Sequence, residues 1–586
     1  MIRFSRVVVT FVLAAAPALS AQKPSDAMTR VEHIADEYMA AYFQRSPSAA
    51  ITYGIPGARV DRFEDNSLEA LKRWRASEDG WLKSLESVDA AALAGTSYAT
   101  TYGLLLETLR ASRQARVCRR ELWPVSSLSG APARYAVLAN MQPVGNDSLR
   151  RAALLRWSAF PHYLATEMAN EREGLRRGYT APKDVVRREI EQIDGLVMLS
   201  PERSPFFAPA THDSTAAFRV AFESLVRDSI ATALARYRDF LSNEYLPKAR
   251  SAIAVAANPN GAACYRALVR QSATVDRDPR ALHELGLQRM DSVEREMRAI
   301  AQRSFGTSDL RALFLRIRTD TQYTFHSQAE VVKYADSLIA RAKAAMPKWF
   351  GILPKGDVRV EPFPAFQERS APPGQYFAGS DDGTRPGIYR VNTYQPEQLG
   401  RGVLEDVTFH EAIPGHHLQI AIAHERTHAH PVTRYLGNSG FSEGWGLYSE
   451  RLADEMGLYD TDLGRLGMLN GESFRAARLV VDAGIHALGW TRQQGIDYFL
   501  QHTSNSPAQI AAEVDRYISE PGQATAYMIG ALEIRRLRGE AQRALGSRFD
   551  IRAFHDRVLE DGTVTLPMLD TKIHRWIIGQ QRMSVR

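Results

Sequence analysis

A mainly helical protein with one small β-sheet near residues 355–395 is the fold class that the sequence predicts, and three changes of texture predict it. From about residue 26 to 345, apolar residues recur three and four apart with many Arg/Glu pairs on the other face, the pattern of amphipathic helices. Between about 350 and 395 the period shortens to alternation. From about 396 to the end the helical spacing returns, carrying every motif with chemical content.

Residues 1–21 read as a leader. A basic start with Arg3 and Arg6 precedes an apolar run from Val7 to Ala16 and the small-residue stretch Ala18-Leu19-Ser20-Ala21, which together make a secretory signal peptide. The mature chain is expected to begin near Gln22, in the periplasm or outside the cell. The apolar run is short for a bilayer span, and no cysteine stands at the cleavage point to take a lipid. Residues 22–345 are expected to form an N-terminal helical region without a fixed repeat. Within it Asp278-Pro279 is an N-cap followed by proline in the first turn, and 200–214, rich in Pro, Ser and Phe, reads as loop. Residues 346–395 hold the sheet: Val358–Phe363, Tyr376-Phe377 and Gly387–Thr393 alternate, with Asp381-Asp382-Gly383 as the turn between the latter two. Residues 396–586 form the C-terminal helical region.

Composition narrows the function classes. A chain of 586 residues with 45% hydrophobic content can bury a large core, and no later stretch is long and apolar enough to span a membrane. The formal charge of +6 falls to +4 once Arg3 and Arg6 leave with the leader; the basic residues are scattered among acids, so no nucleic-acid footprint is expected. Cys118 and Cys264 are too few for a thiolate metal site; they either pair in an oxidising compartment or stay as two buried thiols. The motifs contain no Gly-x-Ser-x-Gly elbow, which argues against a serine hydrolase.

The densest chemistry lies at 409–420, Phe-His-Glu-Ala-Ile-Pro-Gly-His-His-Leu-Gln-Ile, followed by Phe441-Ser442-Glu443-Gly444-Trp445 at the head of another helical pattern. A catalytic zinc takes three protein ligands, imidazole nitrogen or carboxylate oxygen, and leaves the fourth position to water. In a His-Glu-x-x-His helix the two histidines share a face with the glutamate beside them. Here Pro414 occupies the i+4 position from His410, so the helix is expected to be distorted. A bulge at Pro414-Gly415 that absorbs two residues brings His416, rather than His417, to the usual place of the second histidine. The interior Ala-Ile-Pro-Gly is uncharged, as a buried metal helix requires. The bland alternative is an ordinary helix with a few histidines and a Pro-Gly turn. A literal His424-Glu425-Arg426-Thr427-His428 follows, but Arg426 in its interior and Pro431 beyond it read as a solvated helix end.

Four motifs in order, His-Glu-Ala-Ile-Pro-Gly-His-His-Leu-Gln, Phe-Ser-Glu-Gly-Trp-Gly-Leu-Tyr-Ser-Glu (441–450), Arg-Leu-Val-Val-Asp-Ala-Gly-Ile-His-Ala-Leu-Gly-Trp (478–490) and Pro-Gly-Gln-Ala-Thr-Ala-Tyr (521–527), resemble the bacterial domain-of-unknown-function 885 family. That family is similar to gluzincin metallopeptidases of mainly helical, zincin-like architecture, such as the thimet oligopeptidase and carboxypeptidase Taq groups. The resemblance implies a zinc ion held by His410, His416 and Glu443, with Glu411 as general base. Gly446 and Ala483 stand where alanine and threonine are more usual, and neither is expected to touch a ligand.

The remaining candidates are supporting residues. Glu450, two turns beyond Glu443, suits support better than ligation, and Asp406, one turn before His410, is a candidate partner for a ligand's second ring nitrogen. Arg478, Asp482 and His486 share a helix face: Asp482 is a candidate to orient His486, His486 or Tyr527 to stabilise an oxyanion, and Arg478 to meet a substrate carboxylate; a buried ion-pair stripe is the plain alternative. Tyr389 and Asn392 on the sheet and Gln523 are candidate substrate contacts, since a sheet edge beside a metal helix is able to bind an extended peptide. The expected function is an exported zinc-dependent metallopeptidase acting on a peptide or small amide, without nucleic acid and without stable membrane insertion. The alternatives are a zinc hydrolase of a non-peptide amide or ester, and a non-catalytic exported binding protein.

Overall fold

The computed structural model describes residues 25–364, 368, 371–379, 386–425 and 430–583. The expected leader, the turn at Asp381-Asp382-Gly383 and the end of the literal motif at Arg426 to His428 lie outside the described residues. Helix α1 (Asp26–Arg45) opens the chain behind a Ser25 cap. Helices α2 (Phe160–Arg177), α3 (Lys183–Val197) and α4 (Ala231–Phe240) enclose a core of their own, in which Phe63, Tyr135, Trp157, Phe160 and Phe206 interlock edge-on and tilted.

A second and larger core begins well before residue 345. Helices α5 (Gly261–Ala273), α6 (Pro279–Phe305) and α7 (Gln328–Ala345) bury their apolar stripes against the C-terminal helices in this core, which Cys118, Leu122, Trp123 and Val185 join from earlier in the chain. Asp278 caps α6 as predicted, accepting from the Arg280 and Ala281 amides at 2.9 and 3.2 Å. A disulfide joins Cys118 to Cys264 on α5, so of the two alternatives pairing holds. It spans 146 residues, and closing a loop of that order removes about 5 kcal/mol of unfolded-chain entropy in the simplest model.

Strands β1 (Val358–Pro362), β2 (Gly374–Phe377) and β3 (Gly387–Val391) form one sheet in the order β1-β3-β2, with β1 parallel and β2 antiparallel to β3. β3 is therefore the buried centre and β2 an edge, and β2 packs on α8 (Arg401–Glu411). After α9 (His416–His424) come α10 (Ser439–Glu455) and α11 (Asp462–Leu488), then α12 (Pro507–Ser519), α13 (Ala526–Leu545) and α14 (Leu566–Met583). Two glycine contacts set the spacing around the site. A Cβ at Gly286 of α6 would come 2.7 Å from Val480 Cγ2 on α11, and a Cβ at Gly530 of α13 would run into the Gly440 carbonyl of α10. The first seats α6 on α11, and the second seats α10, and with it Glu443, against α13. Among the described residues no helix is long and apolar enough to cross a membrane.

Candidate metal centre

The predicted distortion at Pro414 takes the form of a break. Instead of one bulged helix, α8 ends at Glu411 and α9 starts at His416. The ladder stops because proline offers no amide, and Gly415 packs so tightly that a Cβ there would strike the His410 carbonyl. Trp445 on α10 holds the connection, its Nε1 donating to the carbonyls of Pro414 and Gly415 at 3.0 and 3.2 Å. The break brings two histidines together: the His410 and His416 rings stand 4.7 Å apart at 87°.

Three donor atoms converge between α8, α9 and α10. Glu443 Oε2 lies 3.5 Å from His410 Nε2 and 3.4 Å from His416 Nε2. Ligands about 2.0–2.1 Å from a tetrahedral ion are separated by about 3.4 Å, so these spacings are those of a tetrahedron's edges. Glu411 also offers an oxygen within 4.8 Å of both histidine nitrogens. Of the two carboxylates, Glu443 is the one within ion-pair distance of both rings. Burial alone would push His410 down, but hydrogen bonds to Glu443 and Glu450 raise it to about 10; burial would raise Glu443, and His410 and His416 hold it well below the usual carboxylate range. The two shifts are the two sides of one pairing: the carboxylates favour the charged imidazole, and the imidazoles favour the charged carboxylate.

Behind the donors a polar chain fixes His410. Its Nδ1 donates to Glu450 Oε1 at 2.7 Å, and Arg475 Nη2 lies 3.3 Å from the same oxygen. Glu450 thus supports, as expected, and takes the place expected of Asp406, which stands one step further out with Arg475 Nη1 3.8 Å from its Oδ2. Burial first, then the Glu450 charge, pushes Asp406 well above its usual range. Gly446 departs from expectation. A Cβ there would come 2.6 Å from His410 Cε1, so this position does touch a candidate ligand. His416 lacks such support: its Nδ1 is buried without a hydrogen-bond partner among the described residues.

On the opposite side lies the sheet. Glu411 Oε2 accepts the Tyr376 amide of β2 at 3.0 Å, and Tyr376 Oη meets His417 Nδ1 at 3.0 Å. His417 therefore faces the sheet rather than the donors, and burial pushes it down to about 4.

Residues 47–573 match the profile of a family described as a bacterial protein of unknown function, DUF885. The chain belongs to this family. No curated protein is significantly similar to it. Among solved structures, a lipoprotein candidate of Colwellia psychrerythraea shares 24% identity at a TM-score of 0.86, with 94% of this chain and 99% of that one covered. A lipoprotein candidate of unknown function from Shewanella oneidensis shares 19% at 0.75, covering 92% and 99%. These likenesses show that the DUF885 fold recurs.

The other candidates in this DUF885 chain are mostly engaged elsewhere. His486 corrects the expectation: Nδ1 accepts the Val255 amide at 3.0 Å and Nε2 donates to the Tyr517 carbonyl at 2.9 Å, leaving no ring nitrogen for an oxyanion. Asp482 does not orient it, but accepts from Tyr265 Oη and the Gly522 amide. Arg478 pairs with Glu513 at 2.7 Å and lies over the Tyr527 ring at 4.3 Å, so of the three only Arg478 follows the buried ion-pair alternative. Tyr389 is 0% exposed and bonds Thr408, because β3 is the central strand and not the edge. Asn392 ties together the backbone of Glu368, Ala371 and Tyr394, and Gln523 accepts from Arg516. Tyr527 is half-buried on the first turn of α13, one turn before Gly530, which meets Gly444 beside Glu443. In the literal motif, Glu425 accepts the Lys355 and Gly356 amides, capping a loop. Sequence reasoning missed Tyr376 and Arg475: an aromatic in a short strand and one arginine among many carry no signal of their own.

Proposed function

We propose that this DUF885 protein is an exported zinc-dependent metallopeptidase, periplasmic or secreted. The observation that carries the reading is the position of Glu443 Oε2, 3.4 and 3.5 Å from the two imidazole nitrogens that face it. Two imidazoles and one carboxylate are the donor set of a hydrolytic zinc site, and ligand type leaves room for another divalent metal. A cation held there would lower the pKa of a water beside it and polarise a carbonyl.

The chain's own residues supply the rest. Glu411 borders the donors without being the nearest carboxylate, and its role is to take the water's proton and return it to the leaving amine. Tyr527 is the remaining oxyanion donor of the two considered. β2 is the edge strand of the sheet among the described residues and lies beside Glu411, a setting that suits an extended backbone and favours a peptide over other amides or esters.

The test is metal content by elemental mass spectrometry together with turnover of a peptide mixture, with and without a chelator. Stoichiometric zinc and chelator-sensitive cleavage are expected. Zinc with cleavage of small amides or esters alone points to a different substrate; zinc without turnover leaves a binding protein; a metal-free protein with unaltered activity ends the proposal.

A further inference from the structure

Tyr376 touches both halves of the broken metal segment. The Asn392 amide donates to the Pro373 carbonyl at 2.9 Å, and Tyr376 pairs with Tyr389 three residues further along the ladder. In an antiparallel pair, hydrogen-bonded and non-bonded positions alternate, so the Tyr376 N–H points away from β3 and out of the sheet. That N–H is donated to Glu411, the last residue of α8. The side chain of the same tyrosine reaches His417 in the first turn of α9, hydroxyl to Nδ1 at 3.0 Å, with the rings 5.4 Å apart and edge-on. Its ring needs the space left by Gly387, where a Cβ would come 2.5 Å from the hydroxyl.

Glu411 needs such a restraint. Ala412 after it has φ −100° and ψ −100°, outside the helix, so α8 no longer holds the glutamate from its C-terminal side. We infer that Tyr376 and His417 are positioning residues for the general base: their hydrogen bond fixes β2 so that the outward Tyr376 N–H holds the Glu411 carboxylate beside the metal donors. The inference rests on the metallopeptidase reading for its kinetic consequence, while the clamp itself is measurable without turnover.

The experiment compares wild type with Tyr376→Phe, His417→Gln, the double variant and Glu411→Ala. Three quantities are read: zinc content, kcat and KM on a peptide, and hydrogen exchange of the Tyr376 amide in the metal-free protein. Tyr376→Phe and His417→Gln are expected to keep zinc, to lose about tenfold or more in kcat, and to exchange the Tyr376 amide at least about tenfold faster, as Glu411→Ala also does. The double variant is expected to be no worse than the worse single one, because both break one bond. Unchanged exchange in the two single variants overturns the inference, and so does a loss of zinc in step with activity, which marks a merely structural role. Should one variant fail to fold, Gly387→Ala, which displaces the Tyr376 ring, gives the same readout. If the wild type cleaves nothing, the metallopeptidase reading falls, and the exchange rates alone decide on the clamp.

Discussion

Glu450 Oε1 stands 2.7 Å from His410 Nδ1, with Arg475 3.3 Å away on its other side. The carboxylate sets the His410 tautomer, so that Nε2 presents its lone pair to the donor cluster, and it raises the basicity of that nitrogen. Replacing it by an amide keeps shape and loses charge. Glu450→Gln is therefore expected to weaken zinc binding about 10–100-fold. Competition against a chromophoric chelator measures it; affinity equal to wild type would show that the buried carboxylate serves Arg475 alone.

Substitution separates the proposed ligands from the proposed base. His410→Ala and His416→Ala are expected to lose zinc and activity together, and His417→Ala to keep its metal. Glu411→Gln keeps the metal and loses about 10²–10⁴-fold in kcat, the range of general-base catalysis. Elemental analysis beside kinetics on one preparation distinguishes the cases. Full activity in Glu411→Gln would reject the assignment of the base.

What was legible in the sequence were the patterns with a fixed local period. Helical spacing, the cap at Asp278, the three strands and the proline inside the His-Glu segment all act within a few residues. The sheet order was not legible, because Tyr389 and Tyr376 both alternate and only the strand order β1-β3-β2 makes one central and the other an edge. His486 misled for a related reason. A histidine at i+4 from an aspartate reads as an oriented pair, yet the two side chains bond to different partners, Val255 and Tyr517 for one and Tyr265 and Gly522 for the other. The break at Pro414 was readable as a distortion but not as two helices, since the Trp445 bonds that hold it come from thirty residues away.

Gly446 sets two effects against each other. In the helical α10, alanine gains about 1 kcal/mol over glycine in intrinsic propensity. The new Cβ, however, would meet His410 Cε1 at 2.6 Å and Nε2 at 2.8 Å, and Glu450 pins that ring from behind. Overpacking of this kind costs about 1–3 kcal/mol and falls on the ligand itself. Gly446→Ala is expected to bind zinc about tenfold more weakly while its metal-free thermal midpoint stays within a few degrees of wild type. Unaltered zinc affinity would show that the ring moves freely.

In the N-terminal core, Glu189 is 0% exposed, and burial pushes its carboxyl up from 4.5 to about 8, opposed by the nearby Ser126 backbone and helped by the Glu167 charge. A folded-state pKa above the unfolded one means that the folded chain binds this proton more tightly. Its contribution is fully present below about 4.5 and is lost as pH rises through about 8. A shift of that size corresponds to an order of 5 kcal/mol. Glu171, which burial also pushes well above its usual range, declines in the same direction. Glu189→Gln carries no proton to lose, so its stability should fall less steeply between pH 5 and pH 9. It should be more stable than wild type at the alkaline end and no more stable at the acid end. Denaturation curves at both values, read by tryptophan emission, test the sign: a constant difference between the two proteins would mean that Glu189 is already ionised when folded.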